Sequence, residues 1–82
     1  METLLIADDE KSIRDGLKCI LDWEALGFAL CGEAANGEAA LSSILKNNPS
    51  FVLLDIRMPK LNGIDIIRIA REQGYNGRFI IL

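Results

Sequence analysis

Apolar and polar positions fall into blocks along the chain, and the period changes from block to block. TLLIA (3–7) is a short apolar run and predicts a strand. SIRDGLKCILDW (12–23) follows, with Ile13, Leu17, Ile20 and Leu21 at helical spacing on one stripe. Ser12, with Asp15 three residues on, predicts a capping box at the start of this helix. Gly16 costs the helix about 1 kcal/mol relative to Ala, so a close approach by a neighbouring element is expected there. WEALGF (23–28) breaks the helix, with Gly27 as the stop, and FALCGEA (28–34) predicts a second strand.

NGEAALSSILKNN (36–48) predicts a helix capped by Asn36, with Leu41, Ile44 and Leu45 facing inward. It ends before Pro49, because the residue preceding a proline avoids helical geometry. FVLLD (51–55) is apolar on both faces, as a central strand of a parallel sheet requires. IRMPKLNG (56–63) reads as a loop. NGIDIIRIAREQG (62–74) reads as a third helix, with Asn62 as N-cap and Gly74 as stop, and RFIIL (78–82) as a fourth strand.

The order is therefore β-α-β-α-β-α-β. Such alternation predicts a doubly wound parallel sheet with helices on both faces. In such folds the functional site lies beyond the carboxyl ends of the strands, where the strand order reverses.

Length and charge narrow the possibilities. A chain of 82 residues makes one small domain at most. A net charge of −3 disfavours direct binding to nucleic acid, which draws on clustered Lys and Arg. No stretch is long enough to span a membrane, and METLLIADDE lacks the basic region and cleavage pattern of a signal peptide. Cys19 and Cys31 form neither a CxxC pair nor a metal spacing, and there is no histidine, which argues against zinc. Reduced thiols in a cytoplasmic protein are the expectation.

The acidic residues carry the chemistry. Asp8 and Asp9 follow the first strand directly, and Asp55 closes the third. If those strands are neighbours, three carboxylates converge at one edge of the sheet. Gathered carboxylates repel, so either a proton or a cation must relieve them. Oxygen ligands of this kind favour Mg²⁺, which takes few carboxylates and keeps open positions for a phosphoryl oxygen. Capping of the first helix explains one of the pair Asp8 and Asp9, but not the pair together with Asp55. Asp15, Asp22, Glu24, Glu38, Asp65 and Glu72 lie on helices or turns and read as solvated surface. No GxxxxGK[ST] or GxGxxG is present, which excludes those nucleotide-binding loops. A haloacid-dehalogenase-type phosphatase places a second Asp two residues after its nucleophile. Arg57 stands there instead.

With ADDE after the first strand and LLDIRMPKLNG after the third, the chain resembles the receiver domain of bacterial two-component response regulators. The second motif is similar to the family's D-x-x-M-P-x-x-[DN]-G loop, with Asn62 where Asp is commoner. The resemblance implies a flavodoxin-like (CheY-like) sheet of order 2-1-3-4. It implies Asp55 as phosphoacceptor and Mg²⁺ held by Asp8, Asp9, Asp55 and the backbone carbonyl of Arg57. Met58 and Pro59 would shape the loop. The implied phosphodonor is a sensor histidine kinase, and the implied role is a signalling switch rather than an enzyme. DGLKCILDWEALGFALCGEAANGEAAL is similar to receivers that carry an AraC-type helix-turn-helix output domain, through which the parent would reach DNA. Packing alone also accounts for WEALGF, with Trp23, Leu26 and Phe28 closing the helix end over the sheet.

A full receiver has five strands and five helices, a Ser or Thr ending the fourth strand and a Lys ending the fifth. Residues 1–82 would then be the N-terminal part of a receiver within a longer regulator. The fourth strand would be an exposed apolar edge, so the isolated chain is expected to self-associate there. Two other readings remain at this point: a receiver-like module that only binds or assembles, and a Mg²⁺-dependent phosphohydrolase.

Overall fold

The four apolar runs pair side by side as four parallel strands. The computed structural model, which describes residues 1–82, contains β1 (Glu2–Ala7), α1 (Lys11–Ile20), β2 (Phe28–Ala34), α2 (Gly37–Asn47), β3 (Phe51–Leu54), α3 (Gly63–Glu72) and β4 (Arg78–Ile81). The sheet order is β2-β1-β3-β4, as the expected 2-1-3-4 requires, and every pairing is parallel. Four strands and three helices are present, against the five and five of a full receiver.

Alternation along the strands builds two cores. Leu5, Ala7, Val52 and Leu54 face Ala40 and Ile44 of α2 and Ile66 and Ala70 of α3. Leu4, Ile6 and Leu53 point the other way, against Leu17 of α1 and Trp23, Phe28 and Phe51. β1 and β3 are covered on both faces, which is why their sequences are apolar without interruption.

Both asparagine caps form as expected. Asn36 accepts from the Ala39 N–H at 2.9 Å and Asn62 from the Asp65 N–H at 3.0 Å. Gly27 and Gly74 stop their segments in the left-handed region, at φ 90° and 91°. Asn48, before Pro49, takes φ 47° and closes α2 with an N–H bond to the Ile44 carbonyl.

The first helix departs from expectation. It ends at Ile20, and Trp23 lies beyond it, its indole N–H on the Leu17 carbonyl at 2.8 Å. No capping box forms. Glu10 is the N-cap, without a side-chain cap bond. Asp15 turns instead to Lys11 at 2.7 Å and Lys18 at 3.1 Å. Those two ammonium groups, Lys11 foremost, hold its carboxyl below the usual range. Of the apolar stripe only Leu17 is packed. Ile13 and Leu21 are exposed and Ile20 is 70% exposed, because no element lies over that side of α1. Gly16 has nothing within 4 Å of where a Cβ would sit, so no close approach explains it. On α2, Ile44 is buried, Leu41 half-buried and Leu45 exposed. Trp23 and Phe28 close the helix end over the sheet in an edge-to-face pair 5.9 Å apart, whereas Leu26 is exposed.

Candidate phosphoacceptor and metal site

β1 and β3 are neighbours, and their carboxyl ends bring the three acids together. Ala7 pairs with Leu54, the last residue of β3. One residue further on, the Asp55 N–H donates to the Ala7 carbonyl at 2.9 Å, and the Asp8 N–H to the Ala34 carbonyl at 3.0 Å. Asp8 and Asp55 are thus fixed by ladder bonds that continue past the strands. Each of Asp8, Asp9 and Asp55 offers a carboxylate oxygen, and these atoms lie within 4.8 Å of one another. Asp8 is buried, only 5% exposed, Asp55 is half-buried and Asp9 is exposed.

Two matching Asx turns aim the carboxylates. Asp8 Oδ1 accepts from the Glu10 N–H at 2.9 Å, and Asp55 Oδ1 from the Arg57 N–H at 3.0 Å. In each case one oxygen serves the turn and the second stays available.

The loop after Asp55 is pinned at several points. The Ile56 carbonyl accepts from Met58 and Gly63, at 3.2 and 2.9 Å. The Pro59 carbonyl accepts from the Gly37 N–H at 3.1 Å, tying the loop to the start of α2. Met58 is buried in the larger core. Gly63 packs so tightly that a Cβ there would lie 2.8 Å from the Ile56 Cα. Nothing in the chain donates to the Arg57 carbonyl.

The donor set fits a small hard cation. It is all oxygen, it comes from short rigid junctions, and it is open on the Asp9 side, where waters or a phosphoryl group would complete the shell of a bound cation. The surface depressions of the molecule lie elsewhere and are lined by none of these residues.

The sequence singled out neither Arg14 nor Glu33, yet both adjoin the site. Arg14 Nη1–H donates to the Asp8 carbonyl at 2.7 Å and Nε–H to Glu33 Oε1 at 3.0 Å. Glu33 also accepts from Lys18 at 2.7 Å. The Lys18 ammonium, and after it the Arg14 guanidinium, holds the Glu33 carboxyl below the usual range. Arg14 reads as a solvated helix position from spacing alone. The available signal was its place in the second turn of a helix whose side chains lean back toward the N-terminus, where Asp8 lies.

Comparison with known proteins agrees with this geometry. The chain matches the response regulator receiver domain model over residues 4–82. It is 38% identical over 82 residues to the uncharacterized transcriptional regulatory protein YesN of Bacillus subtilis, covering 100% of this chain and 22% of that protein. The REC domain of AraT, a response regulator from Geobacillus stearothermophilus, superposes with a TM-score of 0.91 at 34% identity, over 98% of this chain and 62% of that one. A two-component transcriptional regulator AraC from Clostridium phytofermentans gives a TM-score of 0.88 at 34% identity, over 99% of this chain and 63% of that one. The chain spans a minor part of the curated relative and just under two thirds of the solved structures. It belongs to the response regulator receiver domain family of two-component systems.

Proposed function

We propose that the chain is the N-terminal part of a phosphorylation switch in which Asp55 accepts a phosphoryl group from a sensor histidine kinase. The observation that carries this reading is the meeting of three carboxylates from two adjacent strand ends within 4.8 Å. An Asp55 oxygen attacks phosphorus, an O–P bond forms, and the N–P bond of the donor phosphohistidine breaks with its electron pair left on the imidazole. Mg²⁺ on Asp8, Asp9, Asp55 and the Arg57 carbonyl would offset the charge on the transferring oxygens. The ladder bonds fix the backbone of Asp8 and Asp55 and the two Asx turns orient their carboxylates beforehand, so little reorganisation is needed at the moment of transfer. The role is that of a cytoplasmic signalling switch. Activity on DNA belongs to an output domain elsewhere in the regulator, and the similarity to a regulator named AraC supports an AraC-type one.

The test is phosphoryl uptake by the full-length regulator. Incubation with a small phosphodonor and Mg²⁺ should add one phosphoryl group, and EDTA or Asp55→Asn should abolish the gain. No gain, or a gain that survives Asp55→Asn, refutes the assignment.

A second reading, assembly of the isolated chain, rests on the free edge of the sheet. β4 pairs only with β3, and Ile80 and Ile81 are 47% and 44% exposed on opposite faces of that edge. Such an edge templates pairing with another strand. Sedimentation velocity of the 82-residue chain should give dimers or larger species as concentration rises. A persistent monomer at high concentration contradicts it.

A further inference from the structure

We propose that Arg14 is a positioning residue for the metal-binding turn, holding the Asp8 backbone so that the Asp8 and Asp9 carboxylates face Asp55. The inference rests on the reading of the acidic cluster as a Mg²⁺ site. Asp8 is the buried member of that cluster, and the orientation of the adjacent Asp9 follows from the peptide that joins them. That peptide's carbonyl is the Asp8 oxygen, and its partner is the Arg14 guanidinium at 2.7 Å. The Asp8 N–H is taken by Ala34 and Oδ1 by the Glu10 N–H. Arg14 is therefore the contact that sets the peptide plane between the two metal-facing acids.

The fork geometry explains why an arginine does this. Nη1 reaches the carbonyl while Nε engages Glu33 at the end of β2, so one planar group spans α1, β2 and the turn after β1. Its side chain is only 13% exposed. A cation beside a Mg²⁺ site repels the metal, and Glu33 offsets that charge. Lys18 shares Glu33 but does not touch Asp8.

The sign of the effect separates positioning from plain charge. Removing a nearby cation should tighten Mg²⁺ binding if Arg14 acts only through its field. It should weaken binding if Arg14 holds the turn, by about tenfold, at the lower end for partners behind a metal ligand. Mg²⁺ affinity of the full chain is measured by isothermal titration calorimetry for wild type, Arg14→Met, Arg14→Lys and Lys18→Met, each verified as folded by its thermal melt in EDTA. The expected result is weaker binding for both Arg14 variants and unchanged or tighter binding for Lys18→Met. The Asp9 backbone amide resonance should move in the Arg14 variants, because its nitrogen is bonded to the carbonyl that Arg14 holds. Unchanged or tighter binding in Arg14→Met overturns the role of Arg14 while leaving the metal site standing. No binding by wild type overturns the metal site, and with it this inference.

Discussion

Asp8→Asn is expected to abolish the stabilisation that Mg²⁺ confers while leaving the chain no less stable in EDTA. The asparagine carbonyl can still accept from the Glu10 N–H, so the turn is preserved. What is lost is one negative charge from a group of three whose oxygens lie within 4.8 Å. Without metal that loss relieves repulsion, so the melting temperature in EDTA should hold or rise. With metal, wild type gains by mass action, about 2.7 kcal/mol at a Mg²⁺ concentration 100 times the dissociation constant. The variant should show almost none of that gain. Thermal melts with and without Mg²⁺ read both effects. A variant that loses stability in EDTA and keeps its Mg²⁺ response contradicts the account.

Gly63→Ala and Gly16→Ala should move stability in opposite directions. Gly16 lies inside α1 and Gly63 opens α3, neither at positive φ, and alanine gains about 1 kcal/mol in propensity in a helix interior and less at its first residue. At Gly16 nothing lies within 4 Å of the added Cβ, so the gain stands and the chain should be stabilised by about 0.5–1 kcal/mol. At Gly63 the Cβ would lie 2.8 Å from the Ile56 Cα and 3.1 Å from the Asp55 carbonyl oxygen. Both are backbone atoms of the junction that carries the Asp55 carboxylate, and neither can swing aside. Overpacking of this kind costs about 1–3 kcal/mol, which outweighs the propensity gain. The loop must shift, so Gly63→Ala should also weaken Mg²⁺ binding. Denaturant melts of the two variants give the comparison, and a stabilised Gly63→Ala would contradict the packing described.

These two glycines also mark where the sequence was legible and where it was not. Gly16 costs its helix propensity, yet tight contacts fall instead at Gly63, at Gly77, and at Gly37, where a Cβ would collide with the Leu61 carbonyl. Which glycine meets a neighbour depends on the tertiary path of another loop, and spacing along one helix carries no such information. The stripe of α1 has the same limit. Ile13, Leu17, Ile20 and Leu21 define an apolar face, but only Leu17 packs into a core. Asp15 joined two lysines rather than a cap, since flanking ammonium groups compete with an N–H for the same carboxylate.

The strands and the acids were far more legible. The alternation of strand and helix periods implies a parallel sheet, the unbroken apolar run of the third strand suits its centre, and a parallel sheet sets its carboxyl ends along one edge. That reasoning placed Asp8, Asp9 and Asp55 at strand ends, and the resemblance to receiver domains supplied the adjacency of the first and third strands that brings them together. The role of Arg14 could not be placed so, because a salt bridge on a helix looks alike whether it faces solvent or the turn after β1.

Chemical trapping of the phosphorylated form decides whether Asp55 is the phosphoacceptor. An aspartyl phosphate is an acyl phosphate. Borohydride delivers hydride to its carbonyl carbon, expels phosphate, and reduces the side chain to that of homoserine. The regulator is treated with a small phosphodonor and Mg²⁺, reduced, digested and sequenced by tandem mass spectrometry. Homoserine is expected at position 55 and at no other aspartate, with the signal lost in EDTA. Homoserine at position 8 or 9, or none at any aspartate in a protein that has taken up phosphate, would contradict that assignment.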